Sequence, residues 1–234
     1  MSVAVPRLEP VAVALDTAER SSFDAWVDFF APRVGVLKVG LEAFVRFGPP
    51  AVERARAAGG RIFLDLKLHD IPNTVAGAVG SAIELGAELL TVHAGGGPAM
   101  LEAAVAAARD RVAILAVTVL THLDAAELAR LGLPGSATER ALAWARLARE
   151  CGCAGVVCSP RELVALRPEL PRPFRLVTPG IRPAGAALGD QKRVATPKSA
   201  LADGADLLVI GRPLTQASDP EAALAALAGE LGAA

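Results

Sequence analysis

The sequence predicts an α/β protein, a single-domain (β/α)8 TIM barrel over residues 1–234, on three observations. Eight short apolar and β-branched runs alternate with longer Ala/Leu/Arg-rich amphipathic stretches from one end of the chain to the other. Eight such units in 234 residues suit a barrel whose usual size is about 250 residues. Polar side chains also gather at the C-terminal ends of the runs, the face on which such barrels carry their chemistry. No linker-like stretch or shift of composition divides the chain.

Taken in order, the first strand (residues 11–16) is an apolar run closed by Asp16, and a helix over 23–31 follows. The second (36–40) carries Lys38 in an aliphatic run and leads to a helix over 51–58. The third (62–67) ends on Asp65 and Lys67 and feeds a helix over 73–85; the fourth (89–94) brings His93 and a helix over 98–108. The fifth (112–120) is followed by Thr121, His122 and a helix over 137–150. The sixth (155–159) closes on Ser159 before a helix over 160–166. The seventh (175–180) ends Thr178-Pro179-Gly180 before a helix over 196–202, and the eighth (206–212) ends Gly211-Arg212 before a helix over 220–231. Glycines 59, 86, 152 and 204 follow helix ends, as C-terminal caps should. The turn after the first strand reads Asp-Thr-Ala where an open dinucleotide-binding sheet would have G-x-G-x-x-G, which favours the closed barrel.

Composition removes several function classes. A formal net charge of -1 without blocks of like charge gives no footprint for nucleic acid or an anionic membrane. The longest apolar stretch, residues 112–120, is far short of the ~20 residues a spanning helix needs. The opening MSVAVPRLEP lacks the basic and apolar regions of a secretory signal, so a cytoplasmic location is expected. Cys151, Cys153 and Cys158 cannot all pair and have no second ligand cluster, so they read as small buried thiols. His69, His93 and His122 form no convincing metal set: His69 reads as a structural hydrogen-bonding group and His122 is assigned no role. Trp26 and Trp144 fall in helical patterns and read as packing residues.

The chemistry concentrates on the third strand. Phe63, Asp65 and Lys67 share one face and Leu64 and Leu66 the other, so an aliphatic pair packed against helices turns the charged pair into the barrel mouth. Asp70 completes an Asp-x-Lys-x-x-Asp pattern. A lone Asp/Lys pair at a strand end is most often structural, but Asp16 and Lys38 are expected on the same rim. Lysine is scarce here, with four (38, 67, 192 and 198) against twenty arginines. A proton donor must be Lys, because Arg does not release its proton near neutral pH.

FLDLKLHDIPNTV at 63–75 resembles the signature of the orotidine 5'-phosphate decarboxylase family. The likeness continues through VALD (13–16), LKVGLEAF (37–44), VTVLT (117–121), TPGIRP (178–183), GDQKRVATP (189–197) and VIGRPLTQASDP (209–220). Order and spacing follow the family's bacterial branch. The resemblance implies removal of CO2 from C6 of orotidine 5'-phosphate to give uridine 5'-phosphate, the last step of pyrimidine synthesis, with neither metal nor organic cofactor. It implies that Lys67 supplies an ammonium and protonates C6, with Asp65 beside it facing the substrate carboxylate. Lys38 would complete a row of alternating charge, and Asp70 would reach the neighbouring subunit's site, making a homodimer the active unit. For the ribose it implies Asp16, Lys38 and, from the partner, Thr74; for the pyrimidine edge, Thr121. Asp16 taken alone reads equally as a helix N-cap.

Phosphate is expected after strands seven and eight, where barrels often bind it. Those loops hold Gly180, Arg182, Gln191, Gly211 and Arg212; Gly211 lets backbone approach an anion and Arg212 offers a bidentate fork. The Gly/Ala-rich stretch 182–192 reads as a lid, with Gln191 bonding the phosphate at its end. Related Mg²⁺-dependent enzymes acting on 3-keto-gulonate or hexulose phosphates resemble the same pattern but carry a metal-binding Glu on the second strand. This chain has Lys38 there, and an ammonium cannot ligate Mg²⁺.

Overall fold

The structure, a computed structural model, describes residues 7–183 and 195–232. Its eight strands are β1 (Leu8–Ala14), β2 (Val34–Gly40), β3 (Ile62–Leu68), β4 (Leu89–His93), β5 (Ala113–Val117), β6 (Gly155–Val157), β7 (Arg175–Thr178) and β8 (Leu207–Ile210). All pair in parallel with their sequence neighbours, and β8 pairs back onto β1 through Val11 opposite Leu208, closing the barrel β1 to β8. Closure leaves no strand edge exposed and brings all eight C-terminal strand ends to one rim.

Alternation along the strands makes two separate cores. Ala12, Val36, Phe63, Leu89, Leu115, Val177 and Leu207 point inward and fill the barrel. Their neighbours, such as Val11, Leu37, Leu64, Leu90, Ile114, Leu176 and Leu208, point outward against the helices. The predicted division of β3 holds: Phe63 lies inside, Leu64 and Leu66 pack outside, and Asp65 and Lys67 face the mouth.

The helices are α1 (Arg20–Phe30), α2 (Leu41–Phe47), α3 (Pro49–Ala57), α4 (Pro72–Glu84), α5 (Gly97–Ala108), α6 (Ala125–Arg130), α7 (Ala137–Glu150), α8 (Leu163–Leu166), α9 (Pro197–Ala202), α10 (Arg212–Thr215) and α11 (Pro220–Leu231). Three of these, α2, α6 and α10, go beyond the sequence reading. Each is too short for its periodicity to stand out, and its local signals are the better guide. α6 has a full capping box, Asp124 with Glu127. α2 begins directly on β2 with Gly40 as its N-cap.

Several strands also end earlier than predicted. β8 stops at Ile210 because Gly211 takes φ −113°, ψ −108° and Arg212 opens α10. β5 stops at Val117, after which Thr118 turns its N–H and its hydroxyl onto the Val157 carbonyl. Ser159 lies past β6 and caps a short 3-10 turn, Pro160–Glu162. These differences shift polar residues from strand ends into the first loop positions and leave the rim where the sequence puts it.

Candidate active site

A cavity of about 660 Å3 opens at the C-terminal rim. Asp16, Lys38, Asp65, Lys67, Thr121, Arg182, Gly211 and Arg212 all line it, so residues from six separate βα units converge as expected. Val117, Val119 and Val157 add apolar wall.

Four of these side chains form a row of alternating sign. The Lys38 ammonium donates to both Asp16 carboxylate oxygens at 3.2 Å and lies 3.5 Å from Asp65 Oδ2. The Lys67 ammonium donates to both Asp65 oxygens at 2.9 Å. Lys38 is 5% exposed and Asp65 9%, so both charges sit where water screens little. Burial alone would push the Asp65 carboxyl up, but Lys38 and then Lys67, with hydrogen bonds from Lys67 and Thr91, outweigh it and hold the group below the usual carboxylate range. Asp65 is therefore an anion throughout the neutral range.

Lys67 occupies an unusual backbone position. Its φ is +51°, left-handed for a non-glycine residue, within an irregularity where four residues of β3 (Leu64 to Leu68) span two of β4 (Leu90 to Val92). An insertion of even length keeps the alternation of faces. Such strain persists only where the surrounding structure over-determines the position.

Across the mouth, Arg182 and Arg212 line the same cavity. Arg182 is 8% exposed and donates to the Ile181 carbonyl at 3.1 Å. Burial first, and the neighbouring Arg212 guanidinium second, push Arg182 below its ordinary range. Two guanidiniums brought together beside a cavity are suited to an anion that neutralises both.

A family model described as "Orotidine 5'-phosphate decarboxylase / HUMPS family" matches residues 9–227. The chain belongs to this family. It is 55% identical over 223 residues to orotidine 5'-phosphate decarboxylase of Thermobifida fusca, covering 95% of each chain. It is 52% identical to that of Halorhodospira halophila, covering 99% of this chain and all of the other. The crystal structure of orotidine 5'-phosphate decarboxylase from Lactobacillus acidophilus superposes with a TM-score of 0.81 at 36% identity, covering 95% of this chain and 98% of that one.

Within this decarboxylase-family barrel, two of the expected residues stand apart from the cavity. Asp70 is exposed, its carboxylate accepting from the Ile71 N–H at 2.6 Å, and Thr74 is exposed on the first turn of α4. Neither lines the cavity of its own chain. Gln191, and with it Lys192 and the lid assigned to 182–192, lies outside the described residues from 184 onward. The histidine reading needs amendment: His69 stacks on His93, ring centroids 5.2 Å apart. Trp26 does pack on the core, but it also lines the cavity, together with Thr17, Glu42, Thr215 and Gln216. The three thiols are free and buried as expected, burial pushing Cys153 up to about 12. Among the described residues, no group of three His, Cys, Asp or Glu is placed to hold a metal ion.

Gly40 is a site residue that the sequence reading passed over. A Cβ there would stand 2.3 Å from Asp16 Oδ1 and 2.6 Å from Lys38 Nζ, so the Asp16–Lys38 pair occupies space that only glycine leaves open. Its backbone, φ −94° and ψ −176°, suits any residue, and the obstructing atoms are side-chain ends. Gly40→Ala is therefore expected to fold with a stability change within about 1 kcal/mol. Displacing the pair should lower kcat/KM by about 10- to 100-fold. Melting temperature and kinetics on one preparation check both halves.

Proposed function

We propose that the chain decarboxylates orotidine 5'-phosphate at C6, yielding CO2 and uridine 5'-phosphate, the final step of de novo pyrimidine synthesis. The observation that carries this reading is the Asp16–Lys38–Asp65–Lys67 row, buried at its centre, with an ammonium on β2 and an ammonium next to a carboxylate at the end of β3. The names of the relatives support the same substrate.

The chemistry asks for such a row. When the C6–carboxylate bond breaks, the electron pair stays in an orbital in the plane of the ring, where no π-system drains it. Fixed charge must stabilise it instead, and a preorganised ammonium in a poorly screened site does so without reorganisation. Lys67 occupies that role and passes its proton to C6, regaining one from solvent afterwards. Asp65 orients Lys67 and faces the departing carboxylate. Asp16 and Lys38 hold the ribose hydroxyls, Thr121 the pyrimidine edge, and Arg182 and Arg212 with Gly211 the phosphate. Lys38 also supports a reaction without metal, since its β2 position offers no oxygen ligand. The purified chain should turn over orotidine 5'-phosphate, read as loss of ultraviolet absorbance, equally with and without EDTA. Dependence on added Mg²⁺, or absence of turnover, would count against the proposal.

The active unit proposed is a homodimer in which Asp70 and Thr74 enter the partner's site, which their exposure beside the cavity rim supports. Lys67→Ala and Asp70→Ala proteins, each inactive alone, should then regain about a quarter of wild-type activity when their subunits are allowed to exchange. One of the two sites in each mixed dimer is intact; no recovery despite exchange would place Asp70 in its own chain's chemistry. No helix among the described residues is long and apolar enough to cross a membrane. Three free thiols support the cytoplasm as the working compartment.

A further inference from the structure

Thr91 sits in the middle of β4 and is fully buried. Its side chain points into the barrel but is not part of the cavity wall. The hydroxyl has two partners, both belonging to the charged row. It accepts the backbone N–H of Lys67 at 2.9 Å and donates to Asp65 Oδ1 at 2.9 Å. Lys67 thus meets Asp65 twice, directly through its ammonium and, through Thr91, by its own backbone. This closed ring of hydrogen bonds spans the irregular stretch of β3 in which Lys67 takes its left-handed φ. A hydroxyl suits the role because it gives one proton and accepts another at a single atom.

Resting on the activity proposed above, we infer that Thr91 is a positioning residue for the reaction. It clamps the Lys67 backbone to the Asp65 carboxylate and so fixes where the Lys67 ammonium stands relative to C6. Thr91 touches no reacting atom and acts only through Lys67 and Asp65. Lys38 reaches Asp65 from β2 and, beyond it, Asp16 pairs with Lys38, so binding of the ribose side does not depend on Thr91.

The test compares Thr91→Val, which keeps shape and removes the hydroxyl, with Thr91→Ser, which keeps the hydroxyl and removes a methyl. Thr91→Val should lower kcat by about 10- to 100-fold, because an ammonium misplaced by an ångström loses that much. Its KM should stay within about threefold, since phosphate and ribose contacts are untouched. Thr91→Ser should return kcat to within about threefold of wild type. A kcat for Thr91→Val equal to wild type, a loss carried wholly by KM, or a Thr91→Ser protein as impaired as Thr91→Val would each overturn the inference. If Thr91→Val does not fold, Thr91→Cys replaces it: sulfur bonds weakly, so its kcat should fall well below that of Thr91→Ser, and equality of the two would overturn the inference. Absence of turnover by the wild-type chain would overturn the activity reading and this inference with it, whereas unaltered variants of an active wild type would overturn this inference alone.

Discussion

Lys67→Ala is expected to lose about four orders of magnitude or more in kcat, roughly 5 kcal/mol of transition-state stabilisation. The size follows from the two roles proposed for one atom. The ammonium stabilises charge developing at C6, worth about 10²- to 10³-fold for a single preorganised donor, and it delivers the proton, worth about 10²-fold or more. Lys67→Arg separates them: a guanidinium still pairs with Asp65 but does not give up a proton, so turnover should remain severely reduced. Both proteins should fold, because Lys67 is partly exposed and Asp65 keeps Lys38 at 3.5 Å and the Thr91 hydroxyl at 2.9 Å. Kinetics beside a melting curve for each variant check this. An alanine variant retaining a tenth of wild-type kcat would remove Lys67 from the chemistry.

Arg212→Ala is the second large loss expected, about 10²- to 10³-fold in kcat/KM for orotidine 5'-phosphate. Its distinctive feature is selectivity for the phosphate. Orotidine, the same nucleoside without the phosphate, should be processed as poorly by the variant as by the wild type, because the guanidinium is proposed to meet only the missing group. Removing Arg212 also relieves the repulsion it exerts on Arg182, so part of the anion site survives and inorganic phosphate should still bind weakly. Parallel kinetics on the two substrates decide the matter, and equal losses on both would assign Arg212 to some other task.

The barrel was legible because its strands are buried on both faces and bounded by glycine and proline, and because rim residues break the apolar runs at regular places. Asp65 and Lys67 could be placed on one face from alternation alone, and the structure keeps that alternation through the irregular stretch of β3. Short elements were not legible: α2, α6 and α10 have seven, six and four residues, too few to show a period. Two site residues escaped for a different reason. Thr91 interrupts Leu89, Leu90 and Val92 as one polar residue in a strand, and nothing local says that its partners lie on β3. Gly40 matters through space that it leaves empty beside Asp16 and Lys38, a property that exists only once the ends of β1 and β2 meet. Asp70 shows the opposite limit: its motif position is plain, yet within one chain it is exposed, bonded to its own neighbour and outside the cavity lining.

The central claim is that the charged row at this rim replaces a carboxylate by a proton at C6. The most direct measurement follows orotidine 5'-phosphate labelled with 13C in its carboxyl group, in D2O containing EDTA, by NMR. The account predicts one labelled CO2 or bicarbonate for each uridine 5'-phosphate formed, deuterium at C6 of the product, and neither signal with Lys67→Ala. Label retained on the pyrimidine, or consumption of substrate that releases orotate in place of CO2, would contradict it.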